Sequence, residues 1–564
     1  MTNVKLFSKF KYLILFLLVS YHSPLISATG NWILYVTNTS GNGGQPPSYA
    51  VLPIKIPRSG TPTQDGLPTI SLQPTGPNPM DIAITPNSQL AVAVASDGIS
   101  SEVALINIAN NTVISSLTNA GNAPVAVAIT PDGNRAYVPN LFDDTVASID
   151  IKNNNTLMLH STIPVGSGPN SVAIGVTGSN SSGMAYVGNG NDTSVTVINT
   201  TNDHVVTTIT GAGIGINGNP MDIAIHPNGN VVYVVSFRDN HVAVINPFTN
   251  SVVGAVSVGA QPRAIVISSD GTKAYVSNFG SNTVSVLNLS PTPLPLPTLS
   301  ATISGFNQPS ILAITPDANT IYVSDPANNR IAILNTLTNT ITGSITQASA
   351  NLILPPNVPF FPGGFIVTPD QAPIAAFTAT DPPLDVVFDA SASSSPVGTI
   401  VSYFWDFGDG TTALTSDPII THIYNQEGTY QVTLTVTNSA GTSTTQIFTG
   451  RTVSNNGGPS AITTQLVSIA PLPPSNFRGI IKKNKFLNRT EYILKATWDA
   501  SSSIDVVLYR IYKSGHLVDE VLANSPLIFK TCLQSEHSAK KYEISSVSSD
   551  NLESILLKIK VVHE

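Results

Sequence analysis

Cysteine is almost missing: Cys532 stands alone among 564 residues. That excludes an intrachain disulfide framework and a CxxCH haem attachment, and no cysteine follows the amino-terminal leader to carry a lipid. Charge is scarce as well. Asp, Glu, Lys and Arg make up 10% of the chain, against roughly 25% in ordinary soluble domains, so stability must come from packed cores and strand ladders. Beyond the leader no stretch approaches about 18 consecutive apolar residues, so no transmembrane span is expected in the mature chain. Between 31 and 370 there is one glutamate, Glu102, and four histidines, His160, His204, His226 and His241. None recurs at an equivalent position, so no converging set of metal ligands is expected and no cofactor is implied.

The first 28 residues read as a secretory signal. Lys5, Lys9 and Lys11 precede an apolar run from Tyr12 to Val19, and Ile26-Ser27-Ala28 supplies small residues for cleavage. The expectation is an exported protein: secreted, periplasmic or held at the cell surface.

From 31 to 370 the chain repeats itself. YVTN at Tyr35, AVAS at Ala93, YVPN at Tyr137, YVGN at Tyr186, YVVS at Tyr233, YVSN at Tyr275 and YVSD at Tyr322 recur at intervals of some 42 to 58 residues. Each is followed by an alternating run such as TVASID, HVAVIN or RIAILN, the pattern of a strand with one buried face. Most are preceded by a short strand ending in a turn, as in DIAITPN, AVAITPDG and DIAIHPNG, where proline and glycine or asparagine supply the turn geometry. A fourth run such as SVVGAVSVG closes each unit. Four short strands in about 45 residues make one propeller blade. The first YVTN lacks a preceding inner strand, while GFIVTPD at Gly364–Asp370 has no YVTN after it. Together they complete a seventh blade and latch the ring. These repeats resemble the YVTN family of β-propeller proteins over roughly Asn31 to Asp370.

A second module is expected over 371–453. It holds WDFGDG at Trp405–Gly410, HIY at His422–Tyr424 and the alternating strand TYQVTLTVTN at Thr429–Asn438. These strings resemble the polycystic kidney disease (PKD) domain, an immunoglobulin-like β-sandwich whose resemblance implies adhesion, spacing or carbohydrate and protein contact. Asp406 and Asp409 read either as calcium ligands or, favoured here, as acceptors for backbone N–H groups of their own turn, since two carboxylates fall short of the six to eight oxygens calcium takes. A Gly/Asn/Ser-rich stretch at 454–462 reads as a flexible linker. The last module, 463–564, carries LKATWD around Trp498, LYRIYK at Leu508–Lys513 and KYEISSV at Lys541–Val547. It resembles a fibronectin type III sandwich, with Cys532 between strands as a small apolar residue. The fold class is therefore all-β: a seven-bladed propeller followed by two immunoglobulin-like sandwiches.

Charge changes along the chain. Residues 31–370 hold 16 acidic and 8 basic side chains, 371–452 hold 7 and 1, and 463–564 hold 10 and 13. The shifts support separate modules with their own cores and argue against nucleic-acid binding. Lys482, Lys483, Lys485 and Arg489 read as a solvated hairpin, or as a contact with an anionic envelope surface.

Function is expected on one rim of the propeller. Loops before the inner strands hold Asp81, Asp222 and Arg263; loops after the YVxN strands hold Phe142, Phe237, Arg238, Phe279, Asp325 and Arg330. Phenylalanines mixed with arginines form a protein or glycan contact ring, or else plug the gaps between blades. Asp222 and His226 share one strand face and read as half a site or as a capped histidine beside a turn. The sequence thus points to a non-enzymatic recognition or adhesion protein, with a lactonase-like propeller hydrolase as the alternative.

Overall fold

The computed structural model describes residues 31–562 apart from 39–49, 58–61, 65–66, 73–77, 176–178, 180, 211–218, 347–348, 350–361, 381–384, 452 and 486–488. The expected leader at 1–28 lies outside the described residues.

Seven four-stranded antiparallel sheets form a propeller. Blade one takes its inner strand, Pro362–Val367, from the end of the array and its other strands from the start. Leu34, Tyr35, Val36 and Thr37 pair with Val367, Ile366, Phe365 and Gly364, so the ring is latched in the expected register. Blades two to seven each run in simple order from inner to outer strand.

The recurring tyrosine has a packing reason. Tyr35, Tyr137, Tyr186, Tyr233, Tyr275 and Tyr322 are all buried, and each joins a core that includes the following blade. Tyr137, for example, packs with Val172, Ile174 and Ala185 of blade four, while its hydroxyl donates to Asp203 at 2.7 Å. The asparagine that closes the motif ties the next hairpin: Asn140 reaches Thr145, and Asn278 reaches Thr283 and Ser285. In blade two the register corrects the sequence reading. Ala83 pairs with Val92 as Ala128 pairs with Tyr137, so the tyrosine's place is held by Val92 and not by Ala93.

Two β-sandwiches follow. The first packs Trp405, Phe377, Phe388, Phe407 and Tyr424 into one aromatic core, with His422 stacked on Phe407 at 3.9 Å. Its boundaries differ from the sequence expectation. The strand that closes its larger sheet is Ile462–Ile469, paired with Gly428–Asn438, and 454–462 is no flexible linker: Val453–Asn456 is a strand and Pro459–Ala461 a 3-10 turn. The polar sequence hid this because the buried partners of that segment lie in other elements. The last module pairs a sheet built on Ser475–Lys485 and Thr490–Asp499 with one built on Val506–Lys513 and Tyr542–Ser548, around Trp498, Tyr509 and Ile511. Cys532 is exposed on the strand Ile528–Leu533, a correction to its expected place between strands.

The modules do not keep separate cores, contrary to expectation. Phe448 and Val453 of the PKD-like module are buried with Ala126, Val172 and Ile174 of the propeller. Val397 and Ala440 pack with the latch residues Trp32 and Phe365.

Candidate binding site in the propeller channel

A proline opens the inner strand at one mouth of the channel in five blades, and stands four and three residues before it in blades three and seven, as Pro124 and Pro309; in the first five the register slips at the residue after the proline. Such a bulge turns one extra residue off the ladder. The seven residues that follow these prolines, Met80, Val125, Asn170, Met221, Arg263, Ser310 and Gly363, all line one cavity of about 420 Å³. That size suits a small ligand.

The opposite mouth is filled by the protein itself. Gln446–Phe448 and Val453–Asn456 form a hairpin of the PKD-like module, braced by Asp370–Gln371 as the chain leaves the propeller. Its tip enters the channel. The carbonyls of Thr449, Gly450 and Arg451 accept the N–H groups of Ile225, Ile174 and Ile129 at 3.1, 2.6 and 3.1 Å. These are equivalent positions in blades five, four and three, whose inner strands have no sheet neighbour on the channel side. Gly450 is needed here: its φ is +115°, and an added Cβ would lie 2.9 Å from that of Ala173.

Arg451 then reaches up the channel between two carboxylates. It binds Asp222 at 2.7 Å and sits 3.6 Å from Asp81. Both aspartates come from the same string, PMDIAI, in blades two and five. Each also accepts a backbone N–H from the next blade's inner strand, Val127 at 3.1 Å and Ile265 at 2.9 Å. Burial pushes the Asp81 carboxyl above the ordinary carboxylate range, with Arg451 opposing it, and the two aspartates raise the Arg451 guanidinium against the opposing effect of burial.

Of the expected site residues, Arg263, Phe237 and Phe279 come together. The Arg263 guanidinium lies 3.7 Å from the Phe279 ring centre and 5.9 Å from that of Phe237. Arg238 is exposed nearby in sequence, whereas Phe142 stands apart, 61% exposed and close to Gly98. Asp325 and Arg330 face each other across a hairpin at the positions held elsewhere by Asn140 and Thr145. Their 2.6 Å bond, with Asn307 and Asn328 also donating to Asp325, makes them a structural pair. His226 is capped: its ring nitrogens meet Asn228 at 2.7 Å and the Gly271 carbonyl at 3.0 Å, so it shares no site with Asp222. Asp406 and Asp409 accept the N–H groups of Gly408 and Thr411, and His422 holds Asp409 at 2.8 Å. The described residues include no group of three or more His, Cys, Asp or Glu placed around one metal ion.

Arg451 escaped sequence reasoning because its partners are 229 residues or more away. A signal was present: it is the one basic residue between 371 and 452.

Fold and channel together define a seven-bladed β-propeller with a PKD sandwich fastened into its channel. Residues 248–371 match the family model described as lactonase, 7-bladed beta-propeller, and 368–453 match that of the PKD domain. The pre-pro-metalloprotease PrtV of Vibrio cholerae is 40% identical over 96 residues, 17% of this chain and 10% of its own length. Collagenase ColA of Bacillus cereus is 44% identical over 57 residues, 10% of this chain and 6% of its own. The chain thus covers a tenth or less of the length of these curated relatives. A solved structure titled as a putative 6-phosphogluconolactonase from Bacteroides uniformis shares 13% identity over 60% of this chain and 99% of its own, with a TM-score of 0.48. The hydrazine synthase of Kuenenia stuttgartiensis shares 19% over 53% and 91%, with a TM-score of 0.42.

Among the described residues no helix is long and apolar enough to cross a membrane.

Proposed function

We propose that this chain is an exported recognition protein whose propeller binds a glycan at the loop-bearing channel mouth, with the two sandwiches as its stalk. The carrying observation is the asymmetry of the channel. One mouth is closed by the PKD hairpin, while the other leads into a cavity of about 420 Å³ beside Arg263, Phe237 and Phe279. Aromatic rings and an arginine at a concave mouth are the side chains most enriched where proteins recognise partners. The leader pattern supports export. Glycan-array binding by the mature chain tests the reading, and it expects retained signal with Phe142→Ser and loss with Phe237→Ser/Phe279→Ser. No saccharide bound on an array spanning neutral and acidic glycans overturns it.

The match of 248–371 to the lactonase family model favours a second reading, a propeller hydrolase. Its weakness is chemical: Asp81 and Asp222 are already engaged by Arg451 and backbone N–H groups, which leaves neither poised to take a proton from water. Turnover of a sugar-lactone panel, lost on Asp222→Asn, would establish that reading instead.

A further inference from the structure

The ring of residues that follow the prolines at the channel mouth holds one charge. Met80, Val125, Asn170, Met221, Ser310 and Gly363 are neutral; the blade-six member is Arg263. The other half-buried arginines of the propeller and hairpin have carboxylate partners: Arg135 binds Asp150, Arg330 binds Asp325 and Arg451 binds Asp222. Arg263 has none among the described residues. Its Nε is shut away from solvent with no acceptor, its terminal nitrogens have no hydrogen-bond partner among the described residues, and the residue lines the cavity. Burial pulls the Arg263 guanidinium below its ordinary pKa, a sign that the site disfavours an uncompensated cation.

Phe279 fixes where the charge points. The ring centre lies 3.7 Å from the guanidinium carbon, so the aromatic face holds the fork in place while its two terminal nitrogens take no acceptor from the described residues. A carboxylate accepts from such a pair in one plane through two parallel hydrogen bonds, a fit that neither a hydroxyl nor a neutral ester matches.

The floor adds a second preference. The hairpin uses the inner-strand N–H groups of Ile129, Ile174 and Ile225 in blades three to five. Ile267, Ile314 and Val367 are their equivalents in blades six, seven and one, and all three line the cavity. In each of these blades the following residue bonds across the turn or latch, Ser268 to Lys273, Thr315 to Thr320 and Thr368 to Ile33. By the alternation of an antiparallel ladder, the N–H groups of Ile267, Ile314 and Val367 therefore face the channel. The hairpin does not reach them. A ligand with several oxygens would find donors along this half of the channel and a cation at its mouth, between apolar walls such as Met80 and Leu312.

We infer that Arg263 is the carboxylate receptor of the channel, and that the glycan recognised there is acidic, presenting a uronic acid residue to the cavity. This rests on the glycan-binding reading above and narrows it to a chemical class.

The test is titration calorimetry of the full mature chain with tri-galacturonate and with its methyl ester, which keeps the shape and removes the charge. The expected result is at least about tenfold weaker binding of the ester, since hydrogen bonds to a charged group are worth more than those to a neutral one. Arg263→Gln should bind acid and ester alike, at the weaker level, with an unchanged melting temperature. Arg263→Lys should fall between, and Lys530→Gln, exposed on the last module, should match the wild type. Equal affinity for acid and ester in the wild type overturns the assignment while leaving glycan recognition standing. So does an Arg263→Gln variant that keeps its preference for the acid. Failure to bind either probe, with neutral glycans still bound on the array, also refutes the acidic ligand; silence across the whole array removes the glycan reading itself.

Discussion

Arg451 shows how much one side chain carries. Asp81 and Asp222 keep only 6% and 7% of their side-chain surface exposed, so removing their cation leaves carboxylates uncompensated in the channel. Breaking a buried pair by deleting one partner costs about 3–5 kcal/mol. Arg451→Ala should therefore lower the unfolding free energy by that amount, read from denaturant titration, and Arg451→Ala/Asp222→Asn should recover part of it; an unchanged midpoint in the single variant would show the bridge to be idle. His226 supplies a pH response. Burial outweighs its two hydrogen bonds and lowers its pKa below the usual 6.5, so the unfolded chain takes up a proton before the folded one does. As pH falls below about 6.5 the propeller should lose stability, and the loss should level off once the folded imidazole also protonates. Urea midpoints between pH 7.5 and 5 measure this, and His226→Gln should flatten the curve.

At the level of strands and hairpins, the latch and the plug behave as opposites for a reader of sequence. The latch was legible because its two fragments each lack what the other supplies: YVTN at Tyr35 without an inner strand, GFIVTPD at Gly364 without a YVTN. Seven copies of one pattern left little freedom in the fold. A chain ending at residue 371 should consequently melt well above one ending at 361, because the shorter chain exposes the edge of Trp32–Asn38. Equal melting would mean that the ring closes without its inner strand. The plug had no such signature. QIFTGRTVSN continues the alternation of a sandwich strand, and nothing local distinguishes a strand that returns to its own sheet from one that leaves for a neighbour. The site was half legible for the same reason. Arg263, Phe237 and Phe279 follow from the repeat register, whereas Asp325 and Arg330 only replace the Asn and Thr of a hairpin tie. That equivalence appears once strands are paired.

Taken whole, the molecule joins its first two modules through buried apolar contacts, a charge bridge and a shared sheet. Phe448 and Val453 lie in a propeller core, and Asp370–Gln371 pairs with Val453–Asn456 beneath it. The third module touches the second more lightly, through bonds such as that from the Asp505 N–H to Glu427 at 2.7 Å. Calorimetry of Trp405→Ala should reveal this unequal coupling. Losing the fully buried tryptophan costs about 3–5 kcal/mol in the PKD sandwich, and the propeller transition should shift down with it while the last domain's stays in place. A propeller transition that does not move would show that the hairpin holds its shape without its parent sandwich.

A ring of seven similar blades has no natural front or back around its axis, and a ligand entering an empty channel could settle in any of several turns. The hairpin ends that equivalence. By engaging blades three, four and five it marks one side of the axis as taken and leaves the N–H groups of Ile267, Ile314 and Val367 on the other. A ligand of the proposed kind would therefore arrive with its orientation already chosen, as a key is turned by the ward cut into a lock. On the proposed reading, the stalk domain decides which way round the head meets its target.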